Sequence, residues 1–159
     1  MIKHFLFKNL RRVLLKMIKI VKGDLFSSTD ESLCHCVSED FKMGKGIALT
    51  FRKKFGNVDY LKNQNKKVGE VAVLEFEDLV IFYLVTKKYY YGKPTYSSLR
   101  QCLIEMRDIM VENKIKTLSM PKIGAGLDRL EWPKVQKIIE DVFCEAFCRD
   151  EVRITVYEL

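Results

Sequence analysis

The sequence predicts a three-layer α/β domain with helices on both sides of one mixed central sheet. Three observations predict it. The 159 residues are about one domain's worth of chain and enough for a single core. Short β-rich runs alternate with segments of helical period, the pattern of a sheet covered on both faces. Two β-rich runs, 69–76 and 79–86, follow one another across a short acidic turn and form a hairpin, so the sheet is not purely parallel. Hydrophobic residues at 48% and charged residues at 31% give an ordinary globular balance, which excludes a disordered or low-complexity chain. No apolar run reaches the roughly 18 residues that a membrane span needs.

The elements follow in order. In residues 1–17, Ile2, Phe5, Leu6, Leu10, Val13, Leu14 and Met17 recur at helical spacing, with Lys3, Lys8, Arg11, Arg12 and Lys16 on the other face. A first strand covers 18–22 and stops at Gly23-Asp24. A second covers 32–38. A loop from Glu39 to Gly46 leads into a helix near 47–55, and a short helix covers 57–64. After the hairpin, Pro94-Thr95 opens a long helix to about Asn113, whose Leu99, Leu103, Met106, Ile109 and Met110 share a face. A strand at 116–120, a loop from Pro121 to Glu131, a helix over 132–148 and a strand at 152–157 complete the chain. Residues 1–16 read as a basic amphipathic extension and 17–159 as the domain.

Charge separates these two parts. The formal net charge is +7, and residues 1–22 carry seven Lys or Arg and no acid. Removing those seven from the 28 basic residues leaves 21, which equals the number of Asp and Glu. The extension suits a mitochondrial presequence, a membrane surface, nucleic acid or packing on the domain. Alternatively, translation starts at Met17. Within the domain, Lys42, Lys45, Arg52, Lys53, Lys54, Lys62, Lys66 and Lys67 face one acid, Asp59. Such a lobe suits a phosphate-bearing ligand or nucleic acid, although a lysine run more commonly marks a solvated helix face. Five cysteines with no secretory signal point to free thiols in a reducing compartment. In a strand, Cys34 and Cys36 share a face and His35 points away, which argues for core thiols over a metal site.

Four segments follow strands: Gly23 to Phe26, Ser38 to Ala48, Thr86 to Lys88, and Pro121 to Asp128. Ligands of open α/β sheets sit at the carboxyl ends of strands. Two of these segments carry G-x-G, as Gly44-Lys45-Gly46 and Gly124-Ala125-Gly126. Glycine lets backbone N–H groups approach a phosphate, and the first pair also opens a helix whose N-terminus favours anions. Neither fits the dinucleotide or P-loop patterns. Lys87 ends a hydrophobic strand, where desolvation would free its amine for nucleophilic attack. Asp128 is placed to act as an acid or base. On position alone, Lys87 reads sooner as an ordinary surface lysine beside Lys88, and Asp128 and Asp24 as turn or cap residues. Only His4 and His35 exist, so a histidine-dependent mechanism is hard to build.

Ordered stretches across 18–159 resemble the macrodomain family. They are Val21-Lys22-Gly23-Asp24-Leu25-Phe26, Ser38-Glu39-Asp40, Met43 to Ala48, Tyr83 to Lys88, Lys93 to Tyr96, Ser119 to Trp132 and Ile154 to Leu159. Where other macrodomains carry an asparagine-bearing loop, this chain has Cys36-Val37-Ser38-Glu39-Asp40, which resembles the lysine-dependent hydrolase branch. The resemblance implies an α/β/α macrodomain that binds ADP-ribose and O-acetyl-ADP-ribose and acts on mono-ADP-ribosylated proteins. It implies that Lys87 attacks the distal ribose and Asp128 resolves the intermediate. It places Asp24 and Leu25 at the adenine, Thr86 in the pocket wall, and Lys122, Ile123, Gly124, Ala125, Gly126 and Leu127 around the diphosphate and distal ribose. Leu159 closes the adenine side, and Ser38, Gly44, Gly46 and Ile47 belong to the binding loop. No cofactor and no metal are implied. A monomer in nucleus and cytoplasm is expected, with mitochondrial targeting by residues 1–16 as the alternative. A non-catalytic reader and a nucleic-acid-directed protein are the competing functions.

Overall fold

The computed structural model describes residues 2–158, without the side chains at 7, 10, 11 and 13–16. A first helix, α1 (Ile2–Met17), runs directly into strand β1 (Ile18–Lys22). Strand β2 (Ser32–Ser38) is followed by α2 (Gly46–Phe55) and α3 (Val58–Lys62). Strands β3 (Val71–Phe76) and β4 (Leu79–Lys87) form the hairpin. Then come α4 (Tyr96–Glu112), β5 (Thr117–Pro121), α5 (Trp132–Cys148) and β6 (Arg153–Glu158). The six-stranded sheet has the order β1-β6-β5-β2-β4-β3, parallel except for the antiparallel pair β3 and β4. The mixed α/β/α architecture expected from the sequence is the one observed.

Most elements fall within a residue or so of expectation, and three differences have a physical reason. The third strand begins at Val71, not 69, because Gly69 has φ +92 and belongs to a turn. The third helix is only Val58–Lys62, since Asn65 takes a left-handed φ of 53. A single 3-10 turn over Leu25–Ser27, capped by Asp24, lies where no element was expected. The long fourth helix starts where Thr95 places it, because Thr95 and Ser98 exchange hydrogen bonds as a capping box.

Right-handed crossovers decide which face each helix covers. The chain moves one way along the sheet from β2 to β4, and the other way from β4 through β5 to β6. The helices in those connections therefore lie on opposite faces. One core packs α4 and α5 against the sheet around Leu99, Leu103, Met106, Phe143 and Phe147. The other packs α2 and α3 around Phe51, Leu61 and Tyr83. Along β2 the faces alternate: Cys34 joins the first core and Cys36 lies against it, while Leu33 and Val37 belong to the second. His35 points to the second side, stacked on Phe51 with ring centroids 3.8 Å apart. Among the described residues, no group of three or more metal-ligating side chains forms.

Neither His35 ring nitrogen has a partner, and burial pushes the imidazole down to about 3. The unfolded chain then binds the extra proton at lower pH, so this site loses stability as pH falls from about 6.5. Urea unfolding between neutral and acid pH is expected to show this slope in wild type and a flatter one in His35→Phe. Equal slopes in the two proteins would refute the assignment.

Candidate active site

Five parallel strands point their carboxyl ends to one edge of the sheet. The strand order also reverses between β5 and β2, because the chain leaves β5 toward β6 and leaves β2 toward β4. A crevice at such a reversal is where open α/β sheets take ligands. The loop 39–45 after β2 and the loop 122–131 after β5 flank it. Lys87, the last residue of β4, lies at the same edge.

A β-bulge aims the lysine. The register runs Val37 opposite Val85 and then Ser38 opposite Lys87, so Thr86 is the extra residue. Such an insertion re-aims the side chains that follow it. The backbone is held there by Glu39 N–H donating to the Lys87 carbonyl at 3.0 Å. Lys87 Nζ donates to Asp128 Oδ1 at 2.7 Å, and the two side chains are only 16% and 17% exposed. A pair so withdrawn from water holds its geometry strongly, since losing either partner strands the other charge. Lys93 Nζ reaches the Leu127 carbonyl at 3.5 Å and ties the segment after β4 to the same loop.

The neighbouring thiol does not compete as a nucleophile. Burial pushes Cys36 well up, helped by Cys102, Cys34 and the Asp128 carboxylate, against a hydrogen bond with Thr86. It stays a thiol at neutral pH, and thiolate is the reactive form.

The two glycine loops differ in what they ask of glycine. Gly46 has φ +58, a conformation that favours glycine, and a Cβ there would lie 3.2 Å from Leu127 Cδ1, so the two loops lie close together. Gly124 has φ +71, and a Cβ would lie 2.9 Å from Leu130 Cδ1. Gly44 and Gly126 have no such constraint. Phe41 and Met43, both buried, also take positive φ of 49 and 44. Bulky residues there are strained, and such strain gathers at ligand loops. The helix α2 carries no side-chain cap at Lys45, so its first N–H groups remain for an anion. In the second loop, Leu130 N–H closes on the Gly124 carbonyl at 2.7 Å. Among the described residues, no backbone hydrogen bond uses the N–H of Gly126 or Leu127.

Other expected binding residues sit as follows. Asp24 Oδ1 accepts from Phe26 N–H at 2.9 Å, so it acts as a cap, and its side chain is exposed at the β1 end of the crevice. Leu25, Thr86 and Ile123 are buried, which leaves mainly their backbone for a ligand. Ile47, in the first turn of α2, is half-buried. Lys122 pairs with Glu158 of β6, and Ala125 N–H donates to the Lys122 carbonyl. Leu159 lies outside the described residues.

Asp40 was not foreseen as a site residue. Its carboxylate accepts from Ser38 Oγ, from Lys42 N–H at 3.1 Å and from Tyr90 N–H at 3.1 Å. One side chain thereby joins the end of β2, the glycine loop and the tyrosine segment after Lys87. The Asx turn onto residue i+2 is a sequence-local signal, but the bond to Tyr90 is not. Beside it runs a groove of about 500 Å³ lined by Asp40, Phe41, Lys42, Arg52, Val58, Lys62 and Tyr90. Lys42 Nζ sits 3.8 Å from the Tyr90 ring centroid. Neither Lys87 nor Asp128 lines the groove, so it neighbours the chemistry without containing it.

Comparison with known proteins identifies the family. The Macro domain family model matches residues 34–139. The chain belongs to the macrodomain family. This macrodomain is 54% identical to the Bos taurus protein named ADP-ribose glycohydrolase OARD1, over 89% of this chain and 91% of that one. It is 27% identical to the Thermus aquaticus DNA ADP-ribosyl glycohydrolase, over 89% of this chain and 41% of that one. The solved macrodomain of Thermus aquaticus DarG superposes with a TM-score of 0.80 at 26% identity, covering 90% of this chain and 99% of that one.

Burial opposes ionisation of Asp40, yet the hydrogen bonds from Ser38, Lys42 and Tyr90 and the Lys42 charge outweigh it and hold the carboxyl below its ordinary value of 3.8. This stabilisation is present above that value and lost as pH falls through the lower folded-state value. Wild type is expected to exceed Asp40→Asn in urea stability by a constant margin from pH 7 to about 5, closing toward pH 3. A margin unchanged down to that pH would contradict it.

Proposed function

We propose that this macrodomain is an ADP-ribosyl hydrolase. It removes mono-ADP-ribose from Glu and Asp side chains and deacylates O-acetyl-ADP-ribose. The observation that carries the reading is the 2.7 Å contact between Lys87 Nζ and Asp128 Oδ1, at the end of β4 beside a crevice flanked by two glycine loops. The loops supply backbone N–H groups for a diphosphate, and the amine–carboxylate pair supplies a nucleophile and its base. The relative named ADP-ribose glycohydrolase supports ADP-ribose as the ligand.

The chemistry runs in two steps. Asp128 takes a proton from the Lys87 ammonium. The freed lone pair attacks the anomeric carbon of the distal ribose. A C–N bond forms as the bond from that carbon to the acceptor carboxylate oxygen breaks, and the carboxylate leaves as an anion. Asp128 then releases its proton to solvent and takes one from water. The water oxygen bonds to the anomeric carbon, the C–N bond breaks, and Asp128 returns its proton to the Lys87 amine. ADP-ribose is released with one net proton.

A second reading has the same pair releasing ADP-ribose from nucleic acid. Its support is the groove of Lys42, Arg52 and Lys62 beside the exposed Tyr89, Tyr90 and Tyr91. Cations that meet phosphates and rings that stack on bases suit such a strand. The Thermus aquaticus DNA ADP-ribosyl glycohydrolase is a relative consistent with it.

The test measures release of ADP-ribose from a protein mono-ADP-ribosylated on glutamate, and from an ADP-ribosylated oligonucleotide. Wild type is expected to release it, and Lys87→Ala to bind ADP-ribose by calorimetry without releasing it. Asp128→Ala is expected to slow release by about 10²–10⁴-fold. Wild type that binds and releases nothing from either substrate would make the protein a reader. The lysine route uses no metal, so a chelator is expected to leave the rate unchanged, and strong inhibition would overturn the route.

A further inference from the structure

The hydrolase reading leaves α1 unused. Its first two turns hold three large apolar side chains in water: Ile2, Phe5 and Leu6 are 78%, 67% and 60% exposed. They sit at i, i+3 and i+4, so they form one face. Lys3, His4, Lys8 and Arg12 are exposed around that face. The helix contacts α5 and β1, and Met17 at its end packs against the first core. The 16 residues span about 24 Å, too short and too charged to cross a membrane.

We propose that α1 is a peripheral membrane anchor that lays its Ile2-Phe5-Leu6 face into an anionic lipid surface. Charge selects the occupant. Residues 1–22 carry seven basic side chains and no acid, while basic and acidic residues balance in the rest of the chain. Five of those seven belong to this helix, so the chain's net positive charge lies mainly on it. A basic amphipathic helix with exposed large apolar residues is the form that lies in the headgroup region, with basic residues beside the anionic lipids. A nucleic acid backbone would neutralise the cations but leave the apolar face wet. A second copy docked through this face would bring two basic helices together.

Co-sedimentation of the full chain with vesicles tests the proposal. Binding to phosphatidylcholine mixed with phosphatidylserine is expected to exceed binding to phosphatidylcholine alone by about tenfold or more, and to weaken as salt rises. The double variant Phe5→Ser, Leu6→Ser is expected to lose about tenfold in binding. The triple variant Lys3→Glu, Lys8→Glu, Arg12→Glu is expected to lose the preference for anionic lipid. ADP-ribose binding, measured by calorimetry on the same variants, is expected to stay at the wild-type level. Four results would overturn the proposal: no binding to either vesicle; equal, salt-insensitive binding to both; a dimer in light scattering that Phe5→Ser dissolves; or DNA binding lost in the double variant while vesicle binding persists.

Discussion

The contact between Lys87 and Asp128 depends on the whole topology of the sheet. The two residues are 41 positions apart, one ending β4 and one in the loop after β5. They meet because both strands run the same way with β2 between them. Each side chain is mostly withdrawn from water, so either charge without the other would carry a desolvation cost of several kcal/mol. The pairing holds the Lys87 amine beside the Asp128 carboxylate at the carboxyl edge of the sheet. The Thr86 bulge contributes the aim, since it sets the register at which Lys87 leaves the sheet.

Around that pair the backbone is held in uncommon conformations by specific contacts. Phe41 and Met43 keep positive φ because their side chains are packed into the molecule and Asp40 fixes the turn before them. The same carboxylate holds Tyr90, so the glycine loop and the tyrosine segment are mechanically joined. Gly46 and Leu127 press the two loops together across the crevice. A diphosphate between these loops would meet N–H groups already oriented, so little conformational entropy would be lost on binding.

The positive charge is divided between two places. The groove cations Lys42, Arg52 and Lys62 lie beside the loop that Asp40 holds. The cations of α1 sit on a helix packed on α5 and β1, where they bear on the surroundings of the protein.

Local sequence determined much of this protein. Two β-rich runs, 69–76 and 79–86, on either side of an acidic turn specified the hairpin, and Pro94-Thr95 specified where a long helix starts. The positions of Lys87 and Asp128 after strands were enough to nominate them, and the ordered motifs from Gly23 to Leu159 were enough to suggest the family. Each of these signals lies within a few residues of chain, where hydrogen-bond geometry and side-chain period are set locally. Tertiary structure decided the rest. That Lys87 touches Asp128, that Asp40 bonds Tyr90, that Thr86 is a bulge and that His35 stacks on Phe51 all follow from strand order and register. Those depend on the summed packing of two cores across the sheet, which no short stretch of sequence contains.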